Sequence, residues 1–326
     1  MNLEPHIQSG VSARSLSLDM LIPMLFLLPM AIFYNGMRAV MLILASVATT
    51  VIVEFVWCKL RKAKASIGDL SAVVTGLTIA MLLPVGVPYF VPVVGGIFAI
   101  MAAKMPFGGL GRSPFNPVAA ALAFVTICWP ARVFGYINPS SILPVPLFGE
   151  AQEHTVSSAA QILKNGGEPA FDRMDMLLGN VPGAMGTTSI IVIIACAAYL
   201  LYRKSAIWQI PVAFIGTSAV IAAMFPRVMT GTMSSVAFEL LSGSLIFAAV
   251  FLASDLSTAP KLPAARFIYG CLGAIFLMMF RHLGTFEEGS CFAILLINAV
   301  APSLDRLIFN LRNYMDDRFG GAELEQ

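Results

Sequence analysis

Charged side chains are scarce in this sequence. Asp, Glu, Lys and Arg make up 12% of its 326 residues, against 58% hydrophobic. A soluble domain of this length needs about a quarter of its residues charged to coat its surface, so a water-soluble globule is excluded. Histidine is rarer still: His6, His154 and His282 are the only three, and their scatter offers no triad and no metal constellation. The five cysteines, Cys58, Cys128, Cys196, Cys271 and Cys291, form no CxxC pair and no Cys/His cluster. The chain by itself therefore encodes neither a zinc site nor a cysteine-ligated iron–sulfur cluster, and its cysteines read as small packing residues. No polybasic run is long enough to suggest nucleic acid as a partner.

What the sequence has instead is apolar blocks of roughly 17 to 22 residues, the length that crosses a bilayer core as a helix. They fall at 18–35, 39–58, 69–84, 89–105, 115–134, 184–202, 207–225, 235–253, 264–281 and 289–308. Breakers separate them: Asn35-Gly36, Pro84 to Pro88, Gly108 to Pro117, and Pro260 to Pro263. Residues Met1 to Ser17 are mixed and polar, and no small-x-small cleavage site follows, so the first block reads as a span rather than a signal peptide. The expectation is an all-α polytopic membrane protein with about ten transmembrane helices.

Basic residues orient it. Lys59, Arg61, Lys62 and Lys64 follow the second block, Arg203 and Lys204 the sixth, Lys261 and Arg266 the eighth, and Arg306, Arg312 and Arg318 the tenth. Placing these in the cytoplasm puts both termini inside. The other side then carries only Arg38, Arg132, Lys164, Arg173, Arg227 and Arg281. It also carries the one long connection, 135–183, which includes Pro139, Pro144, Pro146 and a helix-like stretch from Ser157 to Asn165; it reads as a small ordered cap.

The halves echo each other. Phe107-Gly-Gly-Leu-Gly-Arg-Ser-Pro-Phe-Asn-Pro117 precedes the fifth block, and Phe280-Arg-His-Leu-Gly-Thr-Phe-Glu-Glu-Gly289 precedes the tenth. An offset of five spans is odd, so the halves are expected to be inverted five-helix repeats, the design by which many transport folds build a central site. The expected units are 1–134, a cap at 135–183, and 184–326.

Ionisable residues inside spans are functional candidates, because lipid penalises them. Glu54, Glu239 and Asp255 are the candidates for an ion pathway. Lys104 and Arg281 are expected to snorkel to the interface, the pair Glu287-Glu288 to form a solvated face with a cation path beside Glu239 as its alternative, and Asp69 and Asp255 have helix capping as an equal alternative. In the Gly-rich segment, Gly108, Gly109 and Gly111 allow close backbone approach to a ligand, and Asn116 supplies a donor and an acceptor. The spacing fits no phosphate-binding loop. A tight re-entrant turn explains the segment equally well.

At these motifs the sequence resembles the D subunits of Rnf electron-transport complexes and, more distantly, the B subunits of sodium-translocating NADH:quinone reductases. The resemblance is carried by Glu4-Pro-His6, Gly68-Asp-Leu-Ser-Ala-Val-Val-Thr-Gly-Leu77, Phe107 to Pro117, Leu178-Gly-Asn-Val-Pro-Gly183, Phe251-Leu-Ala-Ser-Asp-Leu-Ser-Thr-Ala-Pro260 and Gly289 to Arg306. It implies a ten-helix, inverted-repeat subunit of a complex that passes electrons between ferredoxin and NAD and moves Na+ or H+. Other membrane and peripheral subunits and membrane lipid would be its partners. The cell membrane, the inner one in a Gram-negative cell, would be its place.

The resemblance also implies non-covalent riboflavin, with Gly108, Gly109, Gly111 and Asn116 as candidate contacts, and FMN linked to a threonine of the long loop. The matching stretch is His154-Thr-Val-Ser-Ser-Ala-Ala160. The acceptor position is Ala160, which has no hydroxyl, and this counts against a covalent FMN; Thr155, Ser157 and Ser158 are the hydroxyls nearby. Thr187 and Thr188 read as capping residues at the head of the sixth span. A channel or transporter of inverted-repeat type without redox chemistry, or a scaffold that has lost its cofactor, are the competing readings.

Overall fold

The computed structural model describes residues 13–62, 66–139, 155–228 and 231–319. His6, Lys64, Pro144, Pro146 and His154, all weighed above, lie outside the described residues. The described chain is almost wholly helical. Helix α1 (Ala13–Asn35) is followed by α2 (Met37–Leu60), α3 (Ser71–Met81), α4 (Phe90–Phe98), α5 (Pro117–Cys128) and the single turn α6 (Pro130–Val133). A short antiparallel pair, β1 (Tyr136–Ile137) and β2 (Thr155–Val156), leads to α7 (Ala159–Lys164) and α8 (Arg173–Leu178). Then come α9 (Ile190–Tyr202), α10 (Gln209–Met224), α11 (Thr232–Leu241), α12 (Leu245–Phe247), α13 (Pro263–Leu283) and α14 (Ser290–Phe319).

Five of these helices are long and apolar enough to cross a membrane: α1, α2, α4 with its continuation to Phe107, α13 and α14. Helix α11 and the segment Leu245–Ala253 meet the same test only as a pair, bent by 62° at the break between them. Helices α3, α5, α9 and α10 are apolar but have only 11, 12, 13 and 16 residues. At 1.5 Å per residue they reach roughly 17 to 24 Å, short of a bilayer core of about 30 Å. The uniform spans expected at 69–84, 115–134 and 184–202 are thus shorter helices. Their ends are set by local chemistry that hydropathy does not register. The Asp69 carboxylate takes the Ser71 amide at 2.9 Å to open α3, and Asn116 with Pro117 opens α5. Chain breaks inside the bundle are tolerated where protein, not lipid, surrounds them.

Large apolar side chains point outward along the long helices: Phe26 and Phe33 on α1, Leu44 and Ile52 on α2, Ile275 and Met279 on α13. In water such a surface would associate; around a multi-pass bundle it is the side that meets lipid. Inside, helices approach through small residues. The Ser46 hydroxyl donates to Gly76 O at 2.6 Å and Thr50 to Ala72 O at 2.9 Å, which fastens α2 to α3. A Cβ added at Gly76 would lie 2.8 Å from Val47 Cα, and one at Gly270 would lie 2.7 Å from Ile210 O and 2.8 Å from Ala213 Cβ. The described residues from β2 to α9 form a cap with its own small apolar cluster, where Ala159, Leu163, Met176 and Val181 pack with Val228 and with Phe238 of α11.

Gly270→Leu is expected to destabilise the bundle by about 1–3 kcal/mol through overpacking. Gly216→Ala, where an added Cβ meets nothing within 4 Å, is expected to be neutral. Thermal unfolding of both variants in detergent, followed by monodispersity, checks the contrast.

Candidate functional site

Two pockets sit at opposite ends of α3 and α5, with cavity volumes of about 90 Å³ beside Asn116 and about 60 Å³ at the other end. The start of each of these helices lines one pocket, and the residues Leu82 and Thr126 at their far ends line the other.

The first pocket is built around Asn116. Its carboxamide oxygen caps α5 by accepting the Val118 and Ala119 amides at 3.0 and 3.3 Å. The amide nitrogen of the same side chain donates across to Leu252 O at 3.4 Å and Asp255 Oδ2 at 3.3 Å. One side chain therefore joins the halves of the sequence. Burial pushes the Asp255 carboxyl above the usual carboxylate range, while hydrogen bonds from Ser257 pull it back. Asp255 thus both caps its own turn, taking the Ser257 amide at 3.0 Å, and faces Asn116.

Gly109 and Gly111 line this pocket with φ of +91° and +79°, and an added Cβ at either would project into open space. Ser71, Thr75 and Thr78 supply hydroxyls to the wall, and Phe251 and Met24 supply apolar surface. Gly108, at φ +104°, turns the chain behind them and is not part of the lining.

Lys104 also lines the pocket. Beyond α4 the helix widens into a π turn over Ala99–Lys104, and such wide turns redirect the residues that follow. Lys104 is 2% exposed; its ammonium lies 2.6 Å from Glu54 Oε2 and donates to Ser71 Oγ at 2.5 Å. The Ser71 hydroxyl in turn donates to Asp69 Oδ1 at 2.6 Å. A polar chain thus runs from fully buried Glu54 through Lys104 and Ser71 to Asp69. The expected snorkelling of Lys104 is corrected by this pairing: the stem turns inward because a buried carboxylate waits there.

The second pocket lies under the cap. Ser158, Ala160, Thr187, Thr188, Ser244, Glu288 and Ser290 line it. Arg281 is 1% exposed, so its expected snorkelling is also overturned; it contacts Glu239 Oε2 at 3.3 Å and Glu288 Oε1 at 2.9 Å. Arg227 Nε lies 2.9 Å from Glu239 Oε1. Glu287 and Glu288 are 5% and 9% exposed rather than a solvated face, because the cap and the break between α11 and α12 close over them.

Among the candidate acceptors, Thr155 and Ser157 are exposed, and Ser158 is buried. The Ser158 hydroxyl accepts the Gln161 amide at 3.0 Å to cap α7 and donates to Glu287 Oε2 at 3.0 Å. Ala160 is in the pocket wall, 4% exposed. Thr187 and Thr188 do not cap α9: Thr187 donates to Ala184 O at 3.2 Å, and the residue before the helix is Ser189. Sequence reasoning missed the pairing of Lys104 with Glu54 and of Arg281 with Glu239. The available signal was two opposite charges in each half, inside otherwise apolar blocks.

A model of the NQR2, RnfD, RnfE family matches residues 1–313. Similar proteins include the D subunit of the proton-translocating ferredoxin:NAD(+) oxidoreductase complex of Clostridium ljungdahlii, 28% identical over 93% of this chain and 92% of that protein. The D subunit of the Na(+)-translocating ferredoxin:NAD(+) oxidoreductase complex of Acetobacterium woodii is 30% identical over 93% and 91%. The D subunit of the ion-translocating oxidoreductase complex of Actinobacillus succinogenes is 29% identical over 93% and 94%.

Either partner of the Lys104–Glu54 pair removed alone, as Lys104→Met or Glu54→Gln, is expected to cost about 3–5 kcal/mol by stranding a buried charge. The double variant is expected to regain most of that loss. Thermal denaturation of the three variants in one detergent decides it, and additive losses would contradict the pairing.

Proposed function

The chain belongs to the NQR2, RnfD, RnfE family, and from that premise we propose that it is the integral membrane subunit of an ion-translocating ferredoxin:NAD oxidoreductase complex that relays electrons through bound flavin. Its partners are the other membrane and peripheral subunits of that complex, and activity is a property of the assembly. The observation that carries the reading is the pocket at Asn116, where the halves of the sequence meet beside an ion-paired lysine and two carboxyl groups.

The residues present suit riboflavin at that pocket. Gly109 and Gly111 leave the space a side chain would fill, apolar wall suits a ring system, and the hydroxyl oxygens of Thr75 and Thr78, whose protons go to Ser71 O and Val74 O, can accept hydrogen bonds. A bound flavin supplies reversible uptake of electrons and protons. The chain's own part is to orient it, exclude water, and keep charge balanced around it through Lys104 and Glu54. Glu54, Asp255 and Glu239 are the carboxyl groups of the ion pathway in this reading.

Covalent FMN does not fit. Ala160 has no hydroxyl, and the buried neighbour Ser158 has its hydroxyl engaged by both α7 and Glu287. Any flavin in the cap-side pocket is held without a bond to Ala160.

The same reading takes the chain as ten membrane-embedded segments in two inverted repeats, 1–134 and 184–326, with 135–183 as an extracytoplasmic cap and both termini in the cytoplasm. Three observations support it. Five long helices, one bent pair and four short apolar helices occupy the ten expected blocks. Contacts of α2 with α3 and α4 have counterparts in those of α10 with α11 and α13, and α1 meets α9 as α5 meets α14. Lys104 and Arg281, each ending the fourth helix of its half, are both buried against carboxylates.

The purified complex is expected to be yellow, with the denatured subunit band dark under ultraviolet light. Asn116→Ala is expected to lose flavin while subunit composition is kept. A colourless complex with all subunits present would overturn the reading, and solute flux into liposomes without an electron donor would favour a channel instead.

A further inference from the structure

The loop between α13 and α14 carries a buried carboxyl that nothing above employs. Phe286 fixes this loop by stacking on Phe134 and Phe292, with ring centres 5.7 and 6.0 Å away. The next residue, Glu287, is 5% exposed. One of its oxygens accepts the Ser158 hydroxyl at 3.0 Å; the other is buried and has no hydrogen-bond partner among the described residues.

Its neighbours define the electrostatics. Tyr136 of β1 lies close by, and burial beside the carboxylates of Glu287 and Glu288 holds its hydroxyl well above its ordinary range. Glu288 follows it on the loop but is spoken for: it takes Arg281 at 2.9 Å, the Ser244 amide at 3.1 Å and the Ser244 hydroxyl at 2.5 Å. Lys164 of α7 also faces the loop, and its ammonium donates to Thr285 O rather than to a carboxylate. Around the cap-side pocket, then, the guanidiniums of Arg227 and Arg281 face three buried carboxyls, those of Glu239, Glu287 and Glu288, while His282 of α13 accepts from Arg227 Nε at 3.4 Å and hydrogen-bonds to none of the three carboxyls among the described residues. The two guanidiniums take Glu239 and Glu288, and one carboxyl is left over. A buried carboxylate without a contacting cation is costly, and a proton removes that cost.

We propose that Glu287 is a proton-binding site at the cap end of the bundle, holding one exchangeable proton when α7 is seated on it and losing that proton when the cap lifts. Ser158 connects the two events, since it both starts α7 and donates to Glu287. Ser158 and Ala160 also line the cap-side pocket, so seating of α7 governs access to it. The direction agrees with burial beside Glu288, which pushes the Glu287 carboxyl up to about 7. A carboxyl whose value is raised in the seated state favours seating while protonated. Seating therefore weakens as pH rises from the ordinary carboxylate range to about 7 and is flat above it.

The test uses the full chain in lipid nanodiscs. Infrared difference spectra of wild type are expected to show one protonated carboxyl titrating near neutral pH, absent in Glu287→Gln, where the side chain mimics the protonated form. Hydrogen exchange over residues 158–165, taken as the ratio of wild type to Glu287→Gln at one pH, is expected to be near unity at about pH 4 and to rise roughly a hundredfold by about pH 8. If Glu287→Gln fails to fold, Ser158→Ala keeps the carboxyl but removes one donor to its charged form, so the infrared midpoint should move upward. The proposal is overturned by a neutral-range band that survives in Glu287→Gln, by an exchange ratio that is the same at both pH values, by a midpoint that stays put in Ser158→Ala, or by a band that answers to sodium at fixed pH instead of to protons.

Discussion

Inside a bundle this apolar, a buried charge needs a partner to meet it, and that constraint organises both ends of the molecule. An unpaired ammonium or carboxylate away from water costs several kcal/mol, so a sequence with few charges must place each with care. Lys104 with Glu54, and Arg281 with Glu239 and Glu288, are two places where the long helices surrender charge to the interior. Each pairing also holds a chain break. The π turn and Gly-rich loop after α4 are anchored through Lys104, and the break between α11 and α12 is anchored by Arg281 donating to Glu239 O at 2.7 Å and Ser242 O at 2.9 Å. Backbone groups freed by a broken helix need partners, and the same side chains that neutralise charge supply them.

The pockets are consequences of those breaks. A continuous helix fills its own length of the bundle, whereas α3 and α5 stop short and leave room at each end. The room is polar because short helices expose caps: Asn116 at α5, Asp69 at α3, Ser158 at α7. Asn116 then reaches Leu252 O, in the π turn Ala248–Ala253. Capping, pocket lining and contact between the halves are thereby functions of one side chain.

Much of this was legible in the residues. Apolar blocks coincide with the five long helices, the bent pair and four shorter apolar helices, the helix-like stretch at Ser157 to Asn165 is close to α7, and Asn116 with Gly109 and Gly111 lines a cavity. The misreadings share a cause. Hydropathy averages over a window, so it cannot separate a full span from a 12-residue helix followed by an apolar loop. Snorkelling was the natural expectation for Lys104 and Arg281 because both end apolar blocks, and a linear sequence does not reveal that Glu54, fifty residues upstream, or Glu239 waits inside. Glu287 and Glu288 read as solvated because the elements that cover them, the cap and the α11–α12 break, are distant in the chain.

The two ends differ in one respect that pairing alone does not predict. At the Asn116 end, the buried ammonium of Lys104 takes Glu54, a chain of hydrogen bonds carries that pairing on to Asp69, and the Asp255 carboxyl is met by Asn116 and the Ser257 amide instead of by a cation. At the cap end two guanidiniums face three carboxyls. A balanced pair has a single low-energy state and suits a site that must stay put while an occupant changes. An unbalanced set has two states of similar energy, differing by one proton and the hydrogen bonds that follow it.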